Sequence, residues 1–196
     1  MPRKAMECST AMSTNTETAF TWRRNEVIFQ AGEYGAVWRV TQGWVRLDRA
    51  SGHGRQLVQV ALPGDLIGPE ALCGQPYQFE ARAMADCVLA RVAVDDTGSS
   101  YLLADALLQQ QQRSATMSRL RTGTVMQRLS HMLDLLGLPW RHETQQPKAR
   151  KQLPPLRELA EVVDAKQETI CRALAQLLPA AGARSTLREN WVASHP

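Results

Sequence analysis

Residues 164–174 read DAKQETICRAL, and the face this stretch turns outward decides what the chain does. On a helix, Ile170, Ala173 and Leu174 share one side, while a Gln, a Glu and an Arg occupy the other within the first two turns. The preceding LPPLRELAEVV (153–163) places Pro154 and Pro155 where a helix can start. Leu156, Leu159, Ala160 and Val163 then recur at i, i+3, i+4 and i+7, the spacing of one helical face. Asp164, with Gln167 three residues on, is the expected cap of the second helix. That helix is expected to bury Ile170, Ala173, Leu174, Leu177 and Leu178. Two short amphipathic helices joined by a tight turn make a helix-turn-helix.

Burying that stripe points Gln167, Glu168, Cys171 and Arg172 outward, in the turns where a recognition helix meets base edges. Arg can donate twice to guanine O6 and N7, Glu can accept from cytosine N4, and Gln can pair with adenine. Thr169 can donate to a phosphate, and Lys166 completes the expected DNA-contacting set. Glu168 and Arg172 are also spaced i, i+4, so a plain exposed ion pair of a few tenths of a kcal/mol is the competing reading.

Upstream, residues 22–95 alternate short apolar runs with glycine: AVWRV, Gly43, WVRL, a hairpin-like RASGHGRQ, LVQVAL, then PGD at 63–65 and CVLARVAV. Turn signals every ten residues or so predict an antiparallel barrel or sandwich. From Ser99 the chain becomes helical, with no Gly or Pro in YLLADALLQQQQRSATMSRLRT. Leu103, Ala106, Leu107, Gln110, Ser114, Met117 and Leu120 recur at three- and four-residue steps. That seam suits either packing on the chain's own barrel or a two-helix dimer contact. A second helix is expected over 124–136, with Val125, Leu129, Met132, Leu133 and Leu136 on one face and Gly137 and Pro139 ending it. The polar, Pro-interrupted RHETQQPKARKQ (141–152) reads as a linker or exposed loop, and RSTLRENWV (184–192) as a small β-hairpin wing.

Composition excludes several classes. With 196 residues, 44% apolar and 21% charged, the chain has ordinary globular content. No apolar run approaches the roughly 20 residues of a membrane span. Residues 1–18 lack the apolar stretch of a secretory signal, so a disordered tail and a cytoplasmic protein are expected. Cys8, Cys73, Cys87 and Cys171 form no C-x-x-C pair, so neither a zinc site nor a disulfide framework is indicated. Residues 1–140 carry 14 basic and 13 acidic residues, a net of +1, whereas 141–196 carry 9 and 6, a net of +3. The excess at the C-terminal end favours a polyanionic partner there.

The order of parts carries a resemblance. LPGDLIGPEAL (62–72) looks like a Gly-Asp-x-hydrophobic-Gly-x-Glu turn, and RELAEVVDAKQETICRAL (157–174) like a helix-turn-helix whose second helix reads x-Glu-Thr-hydrophobic-x-Arg. With the β-roll and long helix between them, residues 22–192 resemble the bacterial cyclic-AMP receptor protein / fumarate–nitrate reductase regulator (CRP/FNR) family. The resemblance implies an α+β protein that is not an enzyme: an N-terminal antiparallel β-roll (cyclic-nucleotide-binding-like, double-stranded β-helix), a long dimerisation helix and a C-terminal winged helix-turn-helix. The implied divisions are a tail (1–18), a sensor (19–98), a dimer helix (99–122) and a DNA-binding domain (123–196). The implied partners are double-stranded DNA carrying an inverted repeat, a second copy of the chain through Leu103, Leu107, Gln110, Ser114, Met117 and Leu120, and RNA polymerase. The family's base-reading Glu and Arg fall on Glu168 and Arg172, while Gln167 and Cys171 set this chain's own preference.

The sensor half departs from the pattern. Cyclic-nucleotide binders of the family end the roll turn in Arg-Ser, which grips the phosphate, with a Glu upstream for the ribose. Glu70 matches that acid after Gly68, but Tyr77 and Gln78 fall at the Arg-Ser positions, in a stretch about three residues shorter. Arg82 reads as part of the next strand. On the long helix, the family's polar pocket-facing pair aligns near Arg113 and Ser114. A cyclic nucleotide is therefore not the expected effector, and its identity is left open. An iron–sulfur cluster needs several N-terminal cysteines, where only Cys8 is found. Haem candidates Cys73, Cys87 and His53 have no supporting context, and a metal-binding cupin enzyme needs more histidines than His53 alone. No cofactor or metal is expected. The competing function is a ligand-binding β-roll that acts through protein contacts without reading DNA.

Overall fold

The computed structural model describes residues 18–52, 54–94 and 98–179. The expected wing at 184–192, His53 and most of the expected N-terminal tail lie outside these residues. The first half is two four-stranded antiparallel sheets. One contains β1 (Ala19–Trp22), β8 (Cys87–Arg91), β3 (Trp38–Gln42) and β6 (Leu66–Ile67) in that order. The other contains β2 (Val27–Phe29), β7 (Glu80–Ala83), β4 (Val45–Ser51) and β5 (Gly54–Ala61). The RASGHGRQ stretch is the hairpin between β4 and β5, with Ser51 opposite Gly54. Phe29, Val40, Val45, Leu47, Ile67, Ala81 and Leu89 fill the space between the sheets. Two packed antiparallel sheets answer to the barrel or sandwich that the apolar alternation predicts, and to the β-roll that the family resemblance implies.

A 24-residue helix, α1 (Gly98–Arg121), leaves the roll and runs back along it. Gln109 closes the sheet edge like a short strand: its amide donates to the Leu66 carbonyl at 2.8 Å and accepts from the Leu66 N–H at 2.6 Å. Arg121 donates to the Leu57 carbonyl and ties the far end of α1 to β5. Helix α2 (Val125–Leu135) follows, opened by a reciprocal capping box between Thr124 and Gln127. Among the described residues, Met117 and Leu120 of α1 join the helical core with Leu129, Met132 and Leu133 of α2. Those two positions, expected in a dimer seam, are instead committed within the chain.

The segment expected as a linker is folded. A 3-10 turn at Glu143–Gln145 leads into helix α3 (Gln146–Gln152), which buries Gln146 and Ala149. Pro147 sits in the first turn, where its missing N–H costs no hydrogen bond, so it begins the helix and does not interrupt it. Helices α4 (Leu156–Val162) and α5 (Gln167–Leu177) then pack against each other and, through α5, on α2. Leu156, expected inside, is exposed, while Val162 takes a core place. Asp164 caps nothing. It adopts φ 50° in the turn between the helices, and Lys166 holds the N-cap position without a side-chain bond. The left-handed conformation is tolerated because Asp is among the few non-glycine residues that visit this region readily.

Candidate nucleic-acid interface and effector pocket

Helix α5 is held from three sides. Its inner stripe, Ile170, Ala173 and Leu174, is buried against α2 and against Leu159, Ala160 and Val163. Arg128, on α2, reaches into the turn and donates to the carbonyls of Val163 and Asp164. Arg150, on α3, donates to the carbonyl of Leu178 just past the other end. Cations at unpaired carbonyls satisfy acceptors that the helix cannot satisfy itself. Neither arginine stands out in the sequence, because the carbonyls they serve are brought near only by folding.

The opposite face is open. Lys166, Gln167, Glu168, Thr169, Cys171 and Arg172 are all exposed. Glu168 and Arg172 form no ion pair in this structure, so the competing reading of an intrahelical bridge is not met. A groove between α4 and α5 is bordered by Arg157, Glu161, Asp164, Lys166, Gln167 and Glu168. The six expected contact residues therefore share one accessible surface that is polar and rigidly backed.

The second candidate site lies between the roll and α1. A cavity of about 380 Å³ is lined by Phe29, Leu47, Leu66, Ile67 and Phe79 of the roll and by Leu103, Ala106 and Leu107 of α1. Of the expected effector residues, only Gly68 and Glu70 line it. Gly68 takes φ 69°, and a side chain there would run into the Tyr77 ring. The Glu70 carboxylate accepts from the Gln78 N–H at 3.3 Å.

Four expected pocket residues are elsewhere. Tyr77 is a plug in the roll core: its ring stacks on Phe29 at 3.8 Å and its hydroxyl donates to the Ala36 carbonyl at 2.6 Å. Burial pushes its phenol pKa up. Gln78 and Ser114 are exposed and do not border the cavity. Arg113 is spent on Asp65, bound through both nitrogens at 2.6 and 2.7 Å. Asp65 is the acid of the PGD turn and also accepts from the Leu62 N–H, so the pair fixes α1 onto that turn. Arg82 belongs to strand β7, as expected, and pairs with Glu80 at 2.6 Å.

A cyclic nucleotide brings a phosphate, and a buried phosphate needs a cation or several aligned donors. Among the described residues, no Lys, Arg or His lines the cavity, and its one charged group, Glu70, is an acid. The residues present do not fit a cyclic nucleotide. Sequence reasoning missed Gln59, a buried polar residue of β5 that faces the cavity; its place two residues before Ala61, which packs inside the roll, carried the signal.

Residues 19–99 match the cyclic nucleotide-binding domain family. Over 119 residues the chain is 29% identical to the transcriptional regulator LdrP of Thermus thermophilus, in each of two strains. The match covers 58% of this chain and 61% of the relative, so the chain spans less than two thirds of that protein. A solved CRP-family regulator of Thermus thermophilus, TTHB099, is 26% identical over 81% of this chain and 83% of its own, with TM-score 0.63. FixK2 of Bradyrhizobium japonicum shares the fold at 24% identity, TM-score 0.59, over 82% of this chain and 84% of that one. No helix among the described residues is long and apolar enough to cross a membrane.

Proposed function

From its homology to transcriptional regulators of the CRP/FNR type, we propose that the chain is a sequence-specific, DNA-binding regulator in the cytoplasm. The proposed division follows the sequence reading: a sensor roll (19–98), a dimer helix (99–122) and a DNA-binding unit (123–196). One observation carries the reading: Lys166, Gln167, Glu168, Thr169, Cys171 and Arg172 lie together on the exposed face of a helix whose other face is buried. Arg172 donates to guanine and Glu168 accepts from cytosine, as their chemistry prescribes. Lys166 and Thr169 hold the phosphate backbone, and Gln167 and Cys171 tune neighbouring positions.

A second copy meets the first along α1, where Leu103 and Leu107 stand exposed among Gln110 and Ser114. Two recognition helices then read an inverted repeat with half-sites about one helical turn apart. The test is a binding selection from genomic fragments at low salt. Recovery of an inverted repeat whose affinity falls steeply with salt supports the reading, and recovery of no duplex ends it.

A further inference from the structure

We infer that the cavity between the roll and α1 is a site for an uncharged, largely apolar small molecule that presents one hydrogen-bonding group to the Gln59 amide. The inference concerns the roll and α1 and goes beyond DNA reading by α5.

Three observations converge. The walls are aromatic and aliphatic: Phe29, Phe79, Leu47 and Ile67 on the roll side, Ala106 and Leu107 on the helix side. The volume of about 380 Å³ lies within the usual range of small-ligand sites. Gln59 borders this space at 5% exposure, yet its side-chain amide has no hydrogen-bond partner among the described residues. The amide opens onto the cavity, so a ligand with a carbonyl, hydroxyl or amine can bond it in place of water.

The electrostatics select against anions. Arg113, the helix residue aligned to greet an anionic effector, is held in a two-point bond by Asp65. The Glu70 carboxylate remains in the wall. A phosphate or carboxylate entering here meets like charge and no counterion, whereas a neutral ligand meets neither penalty. The roll of a cyclic nucleotide-binding domain has thus kept the cavity and changed what it takes.

The test uses the full chain and the neutral dye N-phenylnaphthylamine. The expected result is saturable fluorescence enhancement at one site per chain, undiminished by cyclic AMP at concentrations on the order of millimolar. Ala106→Trp fills the helix wall and lowers dye affinity at least about tenfold. A second measurement needs no variant. Cys73 lines the cavity and is exposed, while Cys171 is exposed on α5. Saturating dye slows maleimide labelling of Cys73 and leaves Cys171 unchanged. Absence of saturable dye binding overturns the inference, as does displacement by cyclic AMP. So does unchanged Cys73 labelling, or unchanged affinity in a folded Ala106→Trp. A chain that selects DNA and fails these tests loses the pocket and keeps the DNA reading; the reverse result keeps the pocket alone.

Discussion

Arg46 of strand β4 and Glu161 of helix α4 meet at 2.8 Å, joining the β-roll to the helix pair that presents the candidate DNA surface. Arg46 is not shared equally. It binds Asp48 through two nitrogens, each at 2.8 Å, and only one of these also reaches Glu161. Burial opposes its charge, but the two carboxylates outweigh burial and raise its pKa. Arg157 holds the other oxygen of Glu161 from one turn away on α4, at 3.1 Å.

The two ends of this chain of charges carry different weight. Asp48 is 1% exposed and Arg46 8%, so Arg46→Ala strands a buried carboxylate and costs about 3–5 kcal/mol. Glu161 is exposed, and Glu161→Ala costs less than about 1 kcal/mol in global stability because Arg46 keeps Asp48. Urea unfolding of the two variants measures this asymmetry. Hydrogen exchange in Glu161→Ala should rise in α4 and not in β4; equal costs for the two variants would show that the bridge to α4 is the dominant interaction.

Glu158, one turn before Glu161, is the strained member of the same corner. One carboxylate oxygen is buried without a partner. Burial raises its pKa above the ordinary value of 4.5, with Arg24 and Arg46 pulling the other way and Glu161 and Asp48 adding to the rise. A carboxyl whose folded pKa is raised stabilises the fold below the unfolded pKa and loses that contribution as pH rises through the folded value. Glu158→Gln is therefore more stable than the parent at neutral pH, by less than roughly 1 kcal/mol because the group is partly solvated. The advantage disappears below about pH 4. Thermal melts across that pH range decide it, and a variant less stable at neutral pH sinks the prediction.

On DNA, Arg172→Ala should lose about 1–3 kcal/mol at a single base pair of each half-site and relax the preference there. Lys166→Ala should weaken binding to all sequences alike and flatten the salt dependence by about one unit of slope. Competition with single-base variants of the selected site separates the two effects. Equal losses on every base variant for Arg172→Ala would reduce that residue to a phosphate contact.

Helix α1 places two leucines of one periodic series in opposite settings. Leu107 is 62% exposed, and Leu120 is 1% exposed in the helical core. Leu107→Lys is expected to shift sedimentation from dimer toward monomer with little change in melting temperature. Leu120→Ala is expected to cost about 2–5 kcal/mol of folding stability, the penalty of a large-to-small core change. An unchanged dimer in Leu107→Lys places the self-contact elsewhere.

Local patterns carried most of the architecture. The alternation through 22–95 called for an antiparallel barrel or sandwich, the Gly- and Pro-free run after Ser99 called for a long helix, and the 3–4 spacing of Ile170, Ala173 and Leu174 set which side of α5 is polar. These follow from the periods of strand and helix, which any sequence displays. Periodicity could not tell which partner a stripe would meet. Met117 and Leu120 continue the stripe of Leu103 and Leu107, but α2 covers only the later pair. Nor could it foresee that Asp65 would take Arg113, or that Tyr77 would plug the roll beside Gly68, because those partners lie 48 and 9 residues apart in the chain. Long-range pairings decide which charges remain free, and through them the chemistry of the pocket. Sequence alone determined the antiparallel strands, the long helix, the helix after it, the two helices around DAKQETICRAL and the outward face of that stretch, but not helix α3. Only the tertiary structure decided that the cavity is left with an unpartnered amide and an acid, because charge balance in a cavity is a property of everything that surrounds it.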